Sequence, residues 1–166
     1  MMNKAYIDGQ NLRYGTVSCS NPWEIDLKRL RIYLNDKYDV NEAYYYIGAF
    51  DSTHQDLYNS IQKSGYILVF REHSNSAVSR KKGNVDTDIV FSIMRDLIES
   101  KDLFKVILVS GDGDYWKIVD YLIKQGRFYK LLAPNKKGTS SLYRKVSGCY
   151  VSYLDESGIK RKIERK

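Results

Sequence analysis

Val106-Ile107-Leu108-Val109 is an unbroken apolar run that stops abruptly at Ser110-Gly111-Asp112-Gly113-Asp114, and a helical pattern begins at Tyr115. A continuous β-branched run of this kind marks a strand covered on both faces, as in a parallel sheet. Such a strand needs helices on either side of it, which confines the chain to α/β layouts. The two glycines allow a sharp turn between the two acids. Open α/β sheets place their ligands at the carboxyl ends of parallel strands, where these acids stand.

The remaining elements alternate in the same style. Lys4–Ile7 reads as a strand running into a turn at Asp8-Gly9-Gln10-Asn11, and a helix is expected from Pro22 to Lys37 with the proline in its first turn. Ala43–Phe50 is a second strand, rich in tyrosine. Asp51 or Ser52 caps a helix over His54–Lys63 that closes at Gly65, and Tyr66–Phe70 is a third strand. Glu72–Val85 is polar and basic without periodicity, long for a connection and of the kind that carries function or lacks order. Asp86–Ser100 is the clearest helix, with Ile89, Val90, Ile93, Met94, Leu97 and Ile98 forming one apolar stripe. After the helix from Tyr115 to Gln125 come a strand at Phe128–Leu132, a turn at Pro134–Gly138, a short helix at Ser140–Val146 and a last strand at Tyr150–Leu154. The pattern predicts an α/β sandwich around a mainly parallel sheet, with right-handed crossovers.

The 166 residues suit one domain, here 1–155, followed by a basic tail at 156–166. A net charge of +7 leans towards nucleic acid as a partner, but GIKRKIERK at the end carries +4 of it and reads as a solvated, frayed end. No apolar run approaches a membrane span, and the opening residues lack a signal core, so no membrane partner and a cytoplasmic location are expected. Cys19 and Cys149 match no zinc spacing and read as buried or half-buried free thiols. His54 and His73, the two histidines, have no triad partner by spacing.

Chemistry therefore rests on carboxylates. Asp8 ends the first strand and Asp112 follows the fourth with Asp114 just beyond; in a doubly wound sheet those two strands can be neighbours at the switch point, which would bring the acids together. Asp86 opens a helix on the side of its apolar stripe, whereas Asp88 lies about 200° further round, making Asp86 the inner acid and Asp88 the outer one. Acids brought together raise one another's pKa unless a cation joins them. Oxygen ligands suit Mg²⁺ or Mn²⁺, which can activate water and neutralise charge at a phosphodiester. Taken singly, each acid also fits a structural role: Asp8 in an Asp-Gly turn, Asp86 and Asp114 as helix caps, Asp112 as a loop acid.

Taken in order, IDGQNL (Ile7–Leu12), KGNVDTD (Lys82–Asp88) and VSGDGDY (Val109–Tyr115) resemble the NYN domain of the LabA-like group, within the PIN-like superfamily of metal-dependent nucleases. The resemblance covers residues 3 to about 155. It implies a three-layer PIN-like, Rossmann-like fold and a nuclease acting on RNA through Mg²⁺ or Mn²⁺, leaving 5′-phosphate and 3′-hydroxyl ends. It implies that Asp8, Asp86, Asp112 and Asp114 form the metal-binding acidic cluster, that Asn11 supports the first aspartate, and that Ser110 reaches a metal water or a phosphate. Asp88 matches a second acid found in some relatives. The chain departs from the family at Tyr115, where relatives usually have phenylalanine, and at Ser147-Gly148-Cys149-Tyr150, where many carry an acid. GDGD also resembles the late motif of haloacid-dehalogenase-type phosphatases, but those need an aspartate two residues after the nucleophile, and Asp8 is followed by Gly9 and Gln10.

An acidic cluster attracts nucleic acid only if cations surround it. Arg80, Lys81 and Lys82 precede Asp86 and are the leading phosphate contacts, and Lys136, Lys137, Arg144 and Lys145 form a second basic region. Tyr14 and Tyr115, each just past an acidic turn, are candidates to stack on unpaired bases of RNA or another nucleic acid. Two other classes remain open: a catalytically inactive RNA-binding or regulatory module, and a protein-interaction scaffold. The tyrosine-rich second strand suggests a possible homodimer contact.

Overall fold

The computed structural model describes residues 2–71 and 85–166. Among them, six strands form one sheet: β1 (Asn3–Asp8), β2 (Val40–Ile47), β3 (Ile67–Phe70), β4 (Val106–Val109), β5 (Phe128–Ala133) and β6 (Val151–Tyr153), in the order β3-β2-β1-β4-β5-β6. Every pairing is parallel. The chain builds outward from β1 to β3 and then returns to β1's other side with β4, so the switch point falls between β1 and β4.

Alternation along the strands divides the core in two. Ala5, Ile7, Ile107 and Val109 face α1 (Gly9–Val17), α2 (Leu27–Tyr38), α3 (Gln55–Lys63) and α6 (Ser157–Ile163), through Leu12, Leu30, Leu34, Ile61 and Ile163. Tyr6, Val106 and Leu108 face α4 (Asp86–Glu99) and α5 (Trp116–Lys124), through Ile89, Ile93, Val119 and Leu122. The result is a three-layer α/β fold around an all-parallel sheet. No helix among the described residues is long and apolar enough to cross a membrane.

Four local expectations change. The turn expected after β1 is the start of α1: Asp8 is its N-cap, its carboxylate accepting the Asn11 backbone N–H at 2.9 Å. Gly-Gln-Asn looks like a turn in sequence, but Gly9 is needed for space, since a Cβ there would lie 2.3 Å from the Tyr45 ring. Next, α2 begins at Leu27 rather than Pro22, because Asp26 caps it through the Arg29 N–H. The basic end is not frayed. Residues 157–163 form α6, Ile163 is fully buried with Leu30 and Leu34, and the Asp26 N–H donates to the Ile163 carbonyl while the Arg165 N–H donates to the Glu24 carbonyl. Ile159 and Ile163 lie one turn apart and supply the apolar face, and burying Ile163 alone is worth about 2 kcal/mol. Finally, Cys149 is exposed, while Cys19 is half-buried.

The tyrosine run of β2 is used inside the chain. β2 lies between β1 and β3, Tyr45 and Tyr46 are buried against opposite cores, and Tyr44 stacks on Tyr6 at 5.4 Å. The loop expected at Glu72–Val85 falls, up to Asn84, outside the described residues, and Arg80, Lys81 and Lys82 fall there with it.

Candidate functional site

The site is assembled at the switch point from three elements. β1 ends at Asp8, which is 3% exposed and held by the Asn11 N–H. β4 ends at Val109 and runs into the acidic turn. α4 begins there with Asp86, which is 8% exposed. Parallel packing of β1 against β4, with α4 crossing the same end, is what turns acids distant in sequence into neighbours.

Carboxylate oxygens of Asp86, Asp112 and Asp114 all lie within 4.8 Å of one another. Burial declines across the three, from buried Asp86 through half-buried Asp112 to exposed Asp114, so the group opens outward. Asp8 stands behind this trio. The hydroxyl of Tyr115 lies 3.0 Å from Asp8 Oδ2 and 2.8 Å from Asp86 Oδ1. One hydroxyl hydrogen serves one acceptor at a time, so the two acids compete for a single donor.

The electrostatics follow from that crowding. Burial pushes the Asp8 carboxyl up, against the lowering effect of the Asn11 N–H and the Tyr115 hydroxyl. Burial likewise raises Asp86, to about 6, with Asp112, Asp8 and Asp114 adding to the rise. Tyr115 is held far above the ordinary tyrosine range by burial and then by Asp8, so it remains a hydrogen-bond donor at any working pH. Asp8, Asp112 and Asp114 make no ion pair with a described residue.

The turn itself is braced from several sides. Asn11 Oδ1 accepts the Gly111 N–H at 2.9 Å, tying α1 to the end of β4. Ser110 is fully buried, and its Oγ accepts the Asp112 N–H at 3.1 Å. Asp112 Oδ1 accepts the Asp114 N–H at 3.0 Å, which shapes the 3₁₀ turn Gly113–Tyr115. Asp88 is half-exposed on α4 and lies outside the three-carboxylate group.

Tyr115 requires a correction. It is fully buried with its ring in the α4–α5 core, so it cannot stack on a base. An aromatic just past an acidic turn reads equally well as exposed or inward, and the 3₁₀ turn decides by folding the ring under the acids. Tyr14, by contrast, is 72% exposed on α1.

Sequence reasoning also missed the roof of the site. The connection between β5 and β6 lies over the acidic turn: the Ser140 N–H donates to the Gly111 carbonyl at 2.9 Å, and the Tyr143 hydroxyl donates to the Asp112 carbonyl. A Cβ on Gly113 would sit 2.5 Å from Ser140 Oγ, so that glycine is required by close approach. Nothing in the sequence around Ser140 and Tyr143 marks them, because their role is set by a contact thirty residues away.

Oxygen-only donors in this number suit a hard divalent cation, and no histidine or cysteine belongs to the group. The fold resembles that of a solved Vibrio parahaemolyticus protein of unknown function, VPA0982, at a TM-score of 0.75 and 18% identity over 99% of this chain and 96% of that one. No curated protein matches the sequence. A family model for the NYN domain, a member of the PIN-like nuclease superfamily, matches residues 5–154. The chain belongs to the NYN domain family.

Proposed function

We propose that this protein is a metal-dependent nuclease of the LabA-like group that hydrolyses RNA phosphodiesters with Mg²⁺ or Mn²⁺. The observation that carries the reading is the meeting of three carboxylates, backed by a buried fourth, at the switch point of a NYN fold. Asp86, Asp112 and Asp114 are the direct ligands in this reading, and Asp8 adds charge behind them. A divalent cation held there supplies Lewis-acid polarisation of a phosphodiester and a more acidic water.

The chain's own contribution is preorganisation. Tyr115 keeps its proton and steadies Asp8 and Asp86 from below. Asn11, Ser110 and Tyr143 fix the backbone of residues 110–112 through hydrogen bonds from three directions. A cluster held by packing and by hydrogen bonds of this kind has little reorganisation left when charge develops at the substrate. Below about pH 6 the Asp86 carboxyl holds a proton, and a cation must displace it.

The test is cleavage of labelled single-stranded RNA in Mn²⁺ by the wild type and by Asp112→Asn. Loss of cleavage in the variant alone is expected. Equal cleavage by both contradicts the metal reading, and no cleavage by either supports the catalytically inactive RNA-binding module.

A further inference from the structure

The connection between β5 and β6 is fixed at both of its ends near the site. Asn135 Nδ2 donates to the Gly15 carbonyl at 2.7 Å, joining it to α1, and Thr139 Oγ1 donates to the Asn135 carbonyl at 2.6 Å. Ser140 and Tyr143 then bond the acidic turn. This braced segment carries two basic pairs, Lys136-Lys137 before the residues that touch the turn and Arg144-Lys145 after them, and all four are exposed. Lys136 lies over the Tyr153 ring at 5.9 Å and Lys145 over Trp116 at 5.8 Å, which orients their ammonium groups without neutralising them. Lys137 and Arg144 make no ion pair among the described residues. The four cations thus lie along the rim formed by the segment that bonds the acidic turn.

At the α1 end of the same rim stands Tyr14, next to the Gly15 that Asn135 holds. Its ring is largely exposed. Exposed cations interleaved with an exposed aromatic ring are the elements that grip a single strand, phosphates on the cations and an unpaired base on the ring. A duplex offers phosphates but keeps its bases stacked away from such a ring.

We infer that Lys136, Lys137, Arg144 and Lys145, together with Tyr14, form the grip for single-stranded RNA on either side of the bond to be cut. The inference rests on the nuclease reading in that it names how the site's substrate is held.

Binding is measured by fluorescence anisotropy with a labelled RNA twelve-mer in EDTA, across a series of salt concentrations, so that no cleavage intervenes. Lys137→Ala/Arg144→Ala alters two exposed side chains and is expected to weaken binding roughly tenfold and to flatten the log K against log salt slope by about 1.4, the loss of two single-strand phosphate contacts. Tyr14→Ala is expected to weaken binding roughly tenfold with the slope unchanged, because stacking releases no counterions. Wild-type affinity and slope in the double variant overturn the grip, as does duplex RNA bound as tightly as the single strand. Wild-type protein that binds in this way but does not cleave in Mn²⁺ supports the grip and overturns the nuclease reading. Cleavage with binding untouched in both variants overturns the grip and leaves the nuclease reading standing.

Discussion

At the amino end of β1, Lys4 Nζ lies 3.0 Å from Glu42 and 4.0 Å from Asp96, and the hydroxyls of Tyr44 and Tyr6 donate to those same two acids. At the carboxyl end of the strand, Asp8 shares the Tyr115 hydroxyl with Asp86, and Asp112 and Asp114 complete the group. Both ends combine carboxylates with buried or half-buried tyrosines. Only the first includes a lysine among the described residues, and Arg95 adds a further cation to Asp96. The consequence is opposite in sign: Tyr44 and then Lys4 hold Glu42 below the usual carboxylate range, whereas burial and neighbouring acids drive Asp86 up to about 6. One network is closed and holds the sheet to α4. In the other, Asp8, Asp112 and Asp114 meet no cation among the described residues, and a bound metal ion can supply that charge.

Substitutions at the two ends separate these roles. Asp112→Asn is expected to reduce Mn²⁺-dependent cleavage by about 10³-fold, the scale of losing a preorganised electrostatic group, as read by initial rates on labelled RNA. Lys4→Met is expected to leave Mn²⁺ binding intact but to cost about 2 kcal/mol of stability in urea unfolding, because it removes the cation between two acids. In the metal-free protein Asp112→Asn has the reverse sign, a gain of about 1 kcal/mol, since it relieves crowding while its amide oxygen keeps the Asp114 N–H. Two losses of similar size would erase the contrast between the ends.

The pH response sharpens the comparison. Asp86 titrates near 6 when folded and near 4 when unfolded, so the folded state binds that proton more tightly. Its contribution to stability is complete below about pH 4 and is lost as the pH rises through about 6, amounting to about 2 kcal/mol at most near a solvent-facing site. Metal-free wild type should therefore lose melting temperature relative to Asp86→Asn between pH 4.5 and 7, while the Mn²⁺-induced rise in melting temperature grows over the same interval. The smallest effect is expected from Tyr115→Phe, where loss of the hydroxyl costs roughly 1 kcal/mol and moves the half-point of the Mn²⁺-induced shift to higher pH. The direction of that movement tests the hydroxyl, because a purely structural loss would leave the half-point in place.

The parallel sheet and the acids at its strand ends were legible because apolar runs stopped by acids are local signals: Asp8 and Asp112 each sit at such a stop, and Asp86 opens a helix with a plain apolar stripe. Elements that depend on tertiary contact were not. α1 begins in a sequence that resembles a turn, and only the fit of Gly9 against Tyr45 shows why glycine is there. α6 carries three basic residues in seven, and its two isoleucines matter only because α2 lies beneath them. Tyr115 looks from the sequence like a surface ring beside the acids, whereas it lies buried beneath them. The bracing by Ser140 and Tyr143 has no sequence signature, since each is defined by a partner on another element.

Diffraction from crystals soaked in Mn²⁺, collected to locate anomalous scattering from the metal, tests most directly whether the three elements meet to hold an ion. An anomalous peak is expected within coordination distance of Asp86, Asp112 and Asp114, and it disappears in Asp112→Asn. Full occupancy of Mn²⁺ elsewhere, with no peak between those carboxylates, would contradict a metal site at the switch point.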